Sequence, residues 1–129
     1  GLALAGLVHD VGWTLMPDGE PNPGEHAQAA EHLLGLRGAT GGLAAEAVRA
    51  HHERWDGRGG PLGLVGAEIP VLARALAVVD RADQARRSPA ERPPGPAVIL
   101  LAEAGGALDP ALVRAWLALS ARRDDGWSP

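Results

Sequence analysis

Histidine and aspartate side chains recur along this chain in a pattern that could hold a metal ion. Histidine adjoins an acidic residue or a second histidine in His9-Asp10, Glu25-His26 and His51-His52-Glu53. Asp80 lies in the most apolar helical stretch, where burying its carboxylate is costly unless it is paired or metal-bound. Imidazole and carboxylate ligands together suit iron, manganese or zinc. If several helices converge on one pocket, they bring together the predicted ligands His9, Asp10, His26, His51, His52 and Asp80.

Each of these residues also has an ordinary structural interpretation. A single histidine is more often structural than a ligand, and His32 lies about 120° around a helix from His26, so we interpret it as structural. Asp83, one turn after Asp80, could support the site or be solvated. Asp80 could instead form a plain ion pair with one of three arginines, Arg54, Arg74 or Arg81. Order and spacing together favour the metal site.

Alanine and leucine dominate the chain and β-branched residues are sparse, which predicts helices. We predict an all-α helical bundle over residues 1–121, with a polar tail over 122–129. A glycine-rich loop over 56–66 is longer than a helix connection requires, and such loops are often functional. The predicted helices cover about residues 2–10, 25–36, 43–53, 71–86, 97–104 and 110–121.

Local signals also predict where one helix begins and which helix faces are buried. Asp109 is a candidate N-cap, with Pro110 in the first turn that follows. The buried stripe of the 71–86 helix is predicted to comprise Leu72, Ala75, Leu76 and Val79. One face of the 43–53 helix carries Leu43, Ala47 and Ala50.

Composition and charge exclude several other classes of protein. The formal charge is −4 and the arginines are scattered, which argues against a nucleic-acid-binding surface. No apolar run approaches the roughly 20 residues of a membrane span, and no basic region of a signal peptide precedes the first apolar residues. We therefore expect a cytoplasmic domain. Gly1 opens directly into a helix-like run, so we expect an upstream segment to be missing.

Two segments resemble signatures of a known family. Residues 7–12, Leu-Val-His-Asp-Val-Gly, look like the HD signature of the HD superfamily of metal-dependent phosphohydrolases. Residues 51–64, which begin His-His-Glu-Arg-Trp-Asp-Gly, are similar to the long signature of its HD-GYP subgroup. Residues 68–80, which end in Asp80, continue that match without a gap, and His26 fits a helix of the family. The resemblance covers residues 2 to about 84.

The resemblance implies the fold, the metals and the substrate. It implies a binuclear site in which Asp10 bridges two divalent transition metal ions, iron or manganese rather than zinc, and is central to catalysis. Such a pair of metals activates water and stabilises the departing oxygen. The implied substrate is cyclic diguanylate or a related phosphodiester, and a regulatory domain is expected upstream in a longer chain. The implied ligands are His9, Asp10 and Asp80 for one metal, and Asp10, His26, His51 and His52 for the other.

The chain departs from the subgroup at several positions. Trp13 stands where the subgroup has a lysine near the substrate phosphate, and it could stack on a base or fill the core. Gly60 replaces the tyrosine of the Gly-Tyr-Pro tripeptide, which removes the ring but keeps the backbone character. We interpret Arg92 as a remnant of a diverged Arg-Pro-Tyr-Arg-like element, and we expect the histidine that the family takes from an earlier helix to lie upstream of Gly1. The predicted substrate contacts are Trp13, Gly59, Gly60, Pro61 and Arg92.

These departures leave three functional hypotheses. The ligand set favours an HD-GYP-like phosphodiesterase. Trp13 and Gly60 favour a catalytically weak or inactive HD module that binds a nucleotide or a partner and works as a regulatory domain. The third hypothesis is an HD phosphohydrolase that acts on a different phosphate ester. Metal content and turnover of a generic phosphodiester would separate them.

Overall fold

The computed structural model describes residues 42–90 and 94–124, and this part of the chain is helical. Its four α-helices are α1 (Gly42–Ala50), α2 (Val71–Arg86), α3 (Pro96–Glu103) and α4 (Pro110–Asp124), and a 3-10 helix (Gly66–Glu68) precedes α2. In these ranges the only β-type pairing is an isolated bridge between Ala104 and Leu108. The all-α prediction is thus confirmed, while the helices predicted near residues 2–10 and 25–36 lie outside the described residues.

Local sequence signals set most helix boundaries. The bounds of α2 agree with the prediction, and Pro96 and Pro110 occupy the first positions of α3 and α4, where a missing N–H costs nothing. The carboxylate of Asp109 accepts hydrogen bonds from the backbone N–H groups of Ala111 and Leu112, at 2.8 and 3.4 Å, which confirms the predicted N-cap. α3 begins one residue earlier than predicted, and α4 continues to Asp124, three residues beyond the predicted end.

The predicted end of α1 was wrong. A helix to Glu53 was predicted, but α1 ends at Ala50 and the two histidines form the turn that follows it. The ring of His51 bonds to the carbonyl of Val48, and the Glu53 N–H donates to the carbonyl of Ala50, so local bonds replace the next turn of the helix. His51 and His52 are therefore oriented by a turn rather than by helical spacing.

α2 is the central element because it packs on two sides. Towards α1, Leu76 is buried with Ala47 and Val48. Towards α3 and α4, Val78 and Ala82 belong to a second cluster. The buried residues of that cluster are Val78, Ala82, Leu100, Leu108 and Val113.

Two-sided packing explains why the buried faces were predicted only in part. Leu76 is buried as predicted, but Val79 is 50% exposed. The prediction assumed a single buried stripe, whereas α2 has neighbours on two sides and therefore buries a different set of positions. On α1, Ala47 and Ala50 are buried and Leu43 is 66% exposed. The buried residues of α2 are Ala73, Leu76, Val78, Ala82 and Ala85.

Polar contacts fix the loop after α1 to the other elements. The backbone N–H groups of Trp55 and Asp56 donate to the carbonyls of Ala107 and Gly106, at 3.1 and 2.9 Å. Arg74 joins three elements: its Nε donates to the Ile69 carbonyl, its Nη1 lies 2.7 Å from Asp109, and its guanidinium lies over the ring of Trp55. None of the helices in the described ranges combines the length and apolarity that a membrane crossing requires.

Candidate metal centre

An open cavity of about 260 Å³ lies between the turn after α1 and the middle of α2. His51 and His52 enter its wall from the turn, and Asp80 enters it from α2. Three of the six predicted metal ligands therefore share one cavity. The remaining wall residues are Glu53, Arg54, Ala77, Arg81, Gln84, Glu103, Ala107 and Leu108. The predicted site residues His9, Asp10, Trp13, His26 and Arg92 lie outside the described residues.

The ring of His51 is oriented by the end of α1. The side chain is 4% exposed, and its Nδ1 lies 2.5 Å from the carbonyl oxygen of Val48. A carbonyl only accepts hydrogen bonds, so Nδ1 carries a proton, and in the neutral ring the lone pair is on Nε2. A histidine that ligates a metal commonly has this arrangement, with the second ring nitrogen bonded to a backbone carbonyl. The ring of His52 is close by, with its centroid 4.1 Å from that of His51.

The three arginines that were candidate partners of Asp80 contact other carboxylates in the described part of the chain. Each of the three arginines is engaged with a different carboxylate, in the pairs Arg54–Asp56, Arg74–Asp109 and Arg81–Glu103, all at 2.7 Å. The Asp80 carboxylate accepts a hydrogen bond from Gln84, one turn on, at 2.6 Å. Asp83 pairs with Arg87 on the exposed side of α2 and does not line the cavity formed by the described residues.

The donors in the cavity are of the types that a divalent transition metal takes. The imidazoles of His51 and His52 share the wall with the carboxylate of Asp80, and the ring of His51 is oriented by its bond to the Val48 carbonyl. Among residues 42–90 and 94–124, no three His, Asp or Glu side chains lie close enough together to hold an ion by themselves. A complete site would therefore need the other predicted ligands, His9, Asp10 and His26.

Glu53 ties the long glycine-rich loop to the histidine turn. Its side chain is 4% exposed, and its two carboxylate oxygens accept the backbone N–H groups of Leu62 and Leu64, at 2.5 and 3.0 Å. One buried carboxylate thus closes a loop of about ten residues. Glu53 was not among the site residues predicted from the sequence, although its position directly after His51-His52 was a usable signal.

The Gly-Gly-Pro part of this loop packs against the backbone of the histidine turn. A Cβ on Gly59 would overlap backbone atoms of His52, Glu53 and Arg54, so only glycine fits. The Gly60 N–H donates to the carbonyl of His52 at 3.4 Å. Gly59, Gly60 and Pro61 do not line the cavity as the described residues form it, and their role in substrate binding stays a prediction.

Arg54 and Asp56 stabilise the turn that follows. Nε and Nη2 of Arg54 bond to the two carboxylate oxygens of Asp56, at 3.0 and 2.7 Å, and the backbone N–H of Arg58 also donates to that carboxylate. The hydrogen bond from Arg54 is the main reason that the pKa of Asp56 falls to about 2. The same contact raises the pKa of Arg54.

A second arginine in the wall, Arg81, is held by a carboxylate from α3. Its Nε donates to both carboxylate oxygens of Glu103, at 2.8 and 3.1 Å. This pair was not predicted from the sequence, because its members are 22 residues apart and on different helices. Their packing, rather than any local pattern, brings them together.

Comparison with known proteins identifies a family model and several relatives. A family model described as "HD domain" matches residues 1–112. A probable cyclic di-GMP phosphodiesterase of Vibrio cholerae is 34% identical over 88% of this chain and 31% of its own length. A cyclic di-GMP phosphodiesterase of Pseudomonas aeruginosa is 35% identical over the same shares. A 3'3'-cGAMP-specific phosphodiesterase of Vibrio cholerae is 34% identical over 61% of this chain and 21% of its own length.

Proposed function

Because the chain belongs to the HD domain family, we propose that it is a metal-dependent phosphodiesterase that hydrolyses cyclic di-GMP or a related cyclic dinucleotide. The observation that carries the proposal is the common cavity of His51, His52 and Asp80. The names of the similar proteins support the substrate class, since they act on cyclic dinucleotides. The chain spans about a third of the length of the first two of these relatives, so the activity of the whole protein is part of the proposal.

We infer that two divalent transition metal ions, iron or manganese, would be held by the six predicted ligands. When bound, they would supply Lewis acidity toward a phosphodiester and lower the pKa of a coordinated water. The protein contributes orientation: the bond from His51 to the Val48 carbonyl fixes the ring and its tautomer. Glu53 holds the neighbouring loop against the turn that carries both histidines. The inferred ligands are His9, Asp10, His26, His51, His52 and Asp80.

The openness of the cavity suits part of a dinucleotide rather than a buried small molecule. A cavity of about 260 Å³ is at or below the usual lower limit for a ligand pocket, so much of a cyclic dinucleotide would remain outside it. We infer that one phosphodiester group enters the cavity and that the bases lie on the surrounding surface. In this arrangement the loop that carries Gly59, Gly60 and Pro61 is one candidate for base or sugar contacts, with Trp13 and Arg92 as the others.

A second candidate function is a regulatory HD module with little or no catalytic activity. Trp13 in place of the family's lysine and Gly60 in place of its tyrosine favour it, because both changes remove groups that could contact the substrate. In this alternative, the cavity binds a nucleotide and the chain transmits that binding to another domain of a longer protein. Turnover distinguishes the two functions.

The direct test is hydrolysis of cyclic di-GMP by the metal-loaded protein and by matched variants. We expect His52→Ala and Asp80→Asn to abolish turnover. Asp83→Asn should retain it, because Asp83 pairs with Arg87 outside the cavity. Absence of turnover in the metal-loaded wild type, with retained nucleotide binding, would favour the regulatory module. Equal losses from Asp80→Asn and Asp83→Asn would mean that the cavity is not the reaction site.

A further inference from the structure

Two arginines share the cavity wall with His51, His52 and Asp80, and they differ in how they are held. Arg54 bonds to Asp56 within its own loop, whereas Arg81 bonds to Glu103 on another helix. Arg81 directly follows Asp80 on α2, and its side chain is 34% exposed. It is thus a partly buried cation next to a predicted metal ligand.

The contact with Glu103 orients the guanidinium of Arg81 and does not involve its Nη1 donors. Nε bonds to both carboxylate oxygens, and Nη2 lies 2.7 Å from Oε1. An arginine has five N–H donors in a planar fork, and here Nε donates while Nη2 lies at ion-pair distance from the same carboxylate. Contact along this edge restricts the plane of the group, so the Nη1 donors on its other side are held in a limited range of directions.

We propose that Arg81 is a phosphate-binding residue of this cavity, contacting an oxygen of the phosphodiester that would lie against His51, His52 and Asp80. The proposal rests on the proposed function and deepens it by assigning a cation to the substrate's phosphate. The wall also carries the carboxylates of Glu53, Asp80 and Glu103, which repel an anion. A guanidinium offsets that repulsion, and its planar fork matches two phosphate oxygens.

In this arrangement Glu103 is a positioning residue. It holds the Arg81 side chain in the cavity wall. Because the side chain is already ordered, binding phosphate costs it less rotamer freedom. It also opposes the anion by its own charge. Replacing Glu103 with glutamine keeps an oxygen that accepts the Nε–H and removes that charge, so phosphate affinity should hold or rise.

The test is calorimetric titration of inorganic phosphate into the metal-loaded chain, beside the KM for cyclic di-GMP. Arg81→Gln should weaken phosphate binding about ten- to a hundredfold, the effect of one charge-assisted contact. Arg87→Gln is the matched control, because Arg87, like Arg81, pairs with a carboxylate. Its partner is Asp83, and neither residue lines the cavity that the described residues form. This variant should change the affinity by less than about twofold, since it alters only a screened surface charge.

Two further variants keep the proposal testable if Arg81→Gln folds poorly. Arg81→Lys retains the charge without the fork and should bind phosphate more weakly than the wild type but more tightly than Arg81→Gln. Glu103→Gln should bind phosphate at least as tightly as the wild type. If Glu103→Gln loses as much affinity as Arg81→Gln, the pair is only structural and the proposal is overturned. Equal effects of Arg81→Gln and Arg87→Gln, or no phosphate binding by the wild type, would also overturn it.

The outcomes separate this inference from the proposed function. Turnover of cyclic di-GMP with unchanged phosphate affinity in Arg81→Gln would overturn the role of Arg81 and leave the function standing. If the chain shows no turnover and only Arg81→Gln loses phosphate affinity, the result would support the phosphate site and count against the phosphodiesterase.

Discussion

Glu53 is expected to stabilise the loop that lies beside the histidine turn, and its removal should destabilise the fold. Both of its carboxylate oxygens accept backbone N–H groups, from Leu62 and Leu64, and the side chain is 4% exposed. We therefore compare Glu53→Ala with Glu53→Gln. The control is Glu68→Ala, because Glu68 also accepts a backbone N–H, from Val65 at 2.9 Å, but is exposed.

The expected loss in the free energy of unfolding follows from the two hydrogen bonds of Glu53 and from their surroundings. A hydrogen bond to a charged group contributes about 1.5–3 kcal/mol, so the two together set an upper range of about 3–6 kcal/mol. Leu62 is 48% exposed, so water can replace part of the lost bonding at its N–H, and removal of a buried charge recovers desolvation energy. We therefore expect Glu53→Ala to lower the free energy of unfolding by about 2–4 kcal/mol. Glu53→Gln keeps one oxygen acceptor and should lose about half as much.

Urea denaturation of the metal-free protein, followed by circular dichroism, measures these losses. A chelator removes metal ions, which would otherwise add their binding energy to the folded state. Glu68→Ala should cost less than about 1 kcal/mol, because its bond is exposed. If Glu53→Ala costs no more than Glu68→Ala, the buried carboxylate does not hold the loop and this reasoning is wrong.

Three more predictions concern titration, capping and the substrate. The stability advantage of the wild type over Asp56→Asn should be complete above pH 3.8, the usual pKa of an aspartate, and should disappear as the pH falls toward 2. The reason is that Arg54 lowers the pKa of Asp56 in the folded state to about 2. A difference in the free energy of unfolding that does not depend on pH would contradict this prediction. Asp109→Ala should lower the free energy of unfolding by about 3–5 kcal/mol, because it removes a helix cap and leaves the part-buried Arg74 without its carboxylate; a loss below about 1 kcal/mol in thermal denaturation would refute that. Trp13→Lys should raise kcat/KM about ten- to a hundredfold if a phosphate contact is what the chain lacks, whereas unchanged, negligible hydrolysis in a folded, metal-loaded variant would favour the regulatory module.

Local sequence signals predicted the described helices well. The bounds of α2 and the cap at Asp109 were predicted because proline, glycine and capping residues act within a few positions of the boundary that they set. The end of α1 was not, because His51 bonds back to Val48 and ends the helix where its alanine-rich composition favours continuation. A side chain that competes for a backbone carbonyl is not visible in helical periodicity.

Long-range packing limited what could be predicted about the site. His51, His52 and Asp80, which were singled out because their order and spacing resembled the signature of a known family, line one cavity, and their role as metal ligands stays a prediction. The wall that Arg81 forms with Glu103 was not predicted, since it depends on how α2 packs against α3. His9, Asp10 and His26 lie outside the described residues, so their place among the ligands stays a prediction.

The measurement that tests the central claim most directly is the metal content of the purified chain, determined by elemental analysis. We predict about two iron or manganese ions per chain in the wild type. Asp10→Ala should lose both, and Asp83→Ala should keep them, because Asp83 is paired with Arg87 outside the cavity. A wild-type chain that binds no transition metal, or equal losses from the two substitutions, would contradict the proposed metal centre.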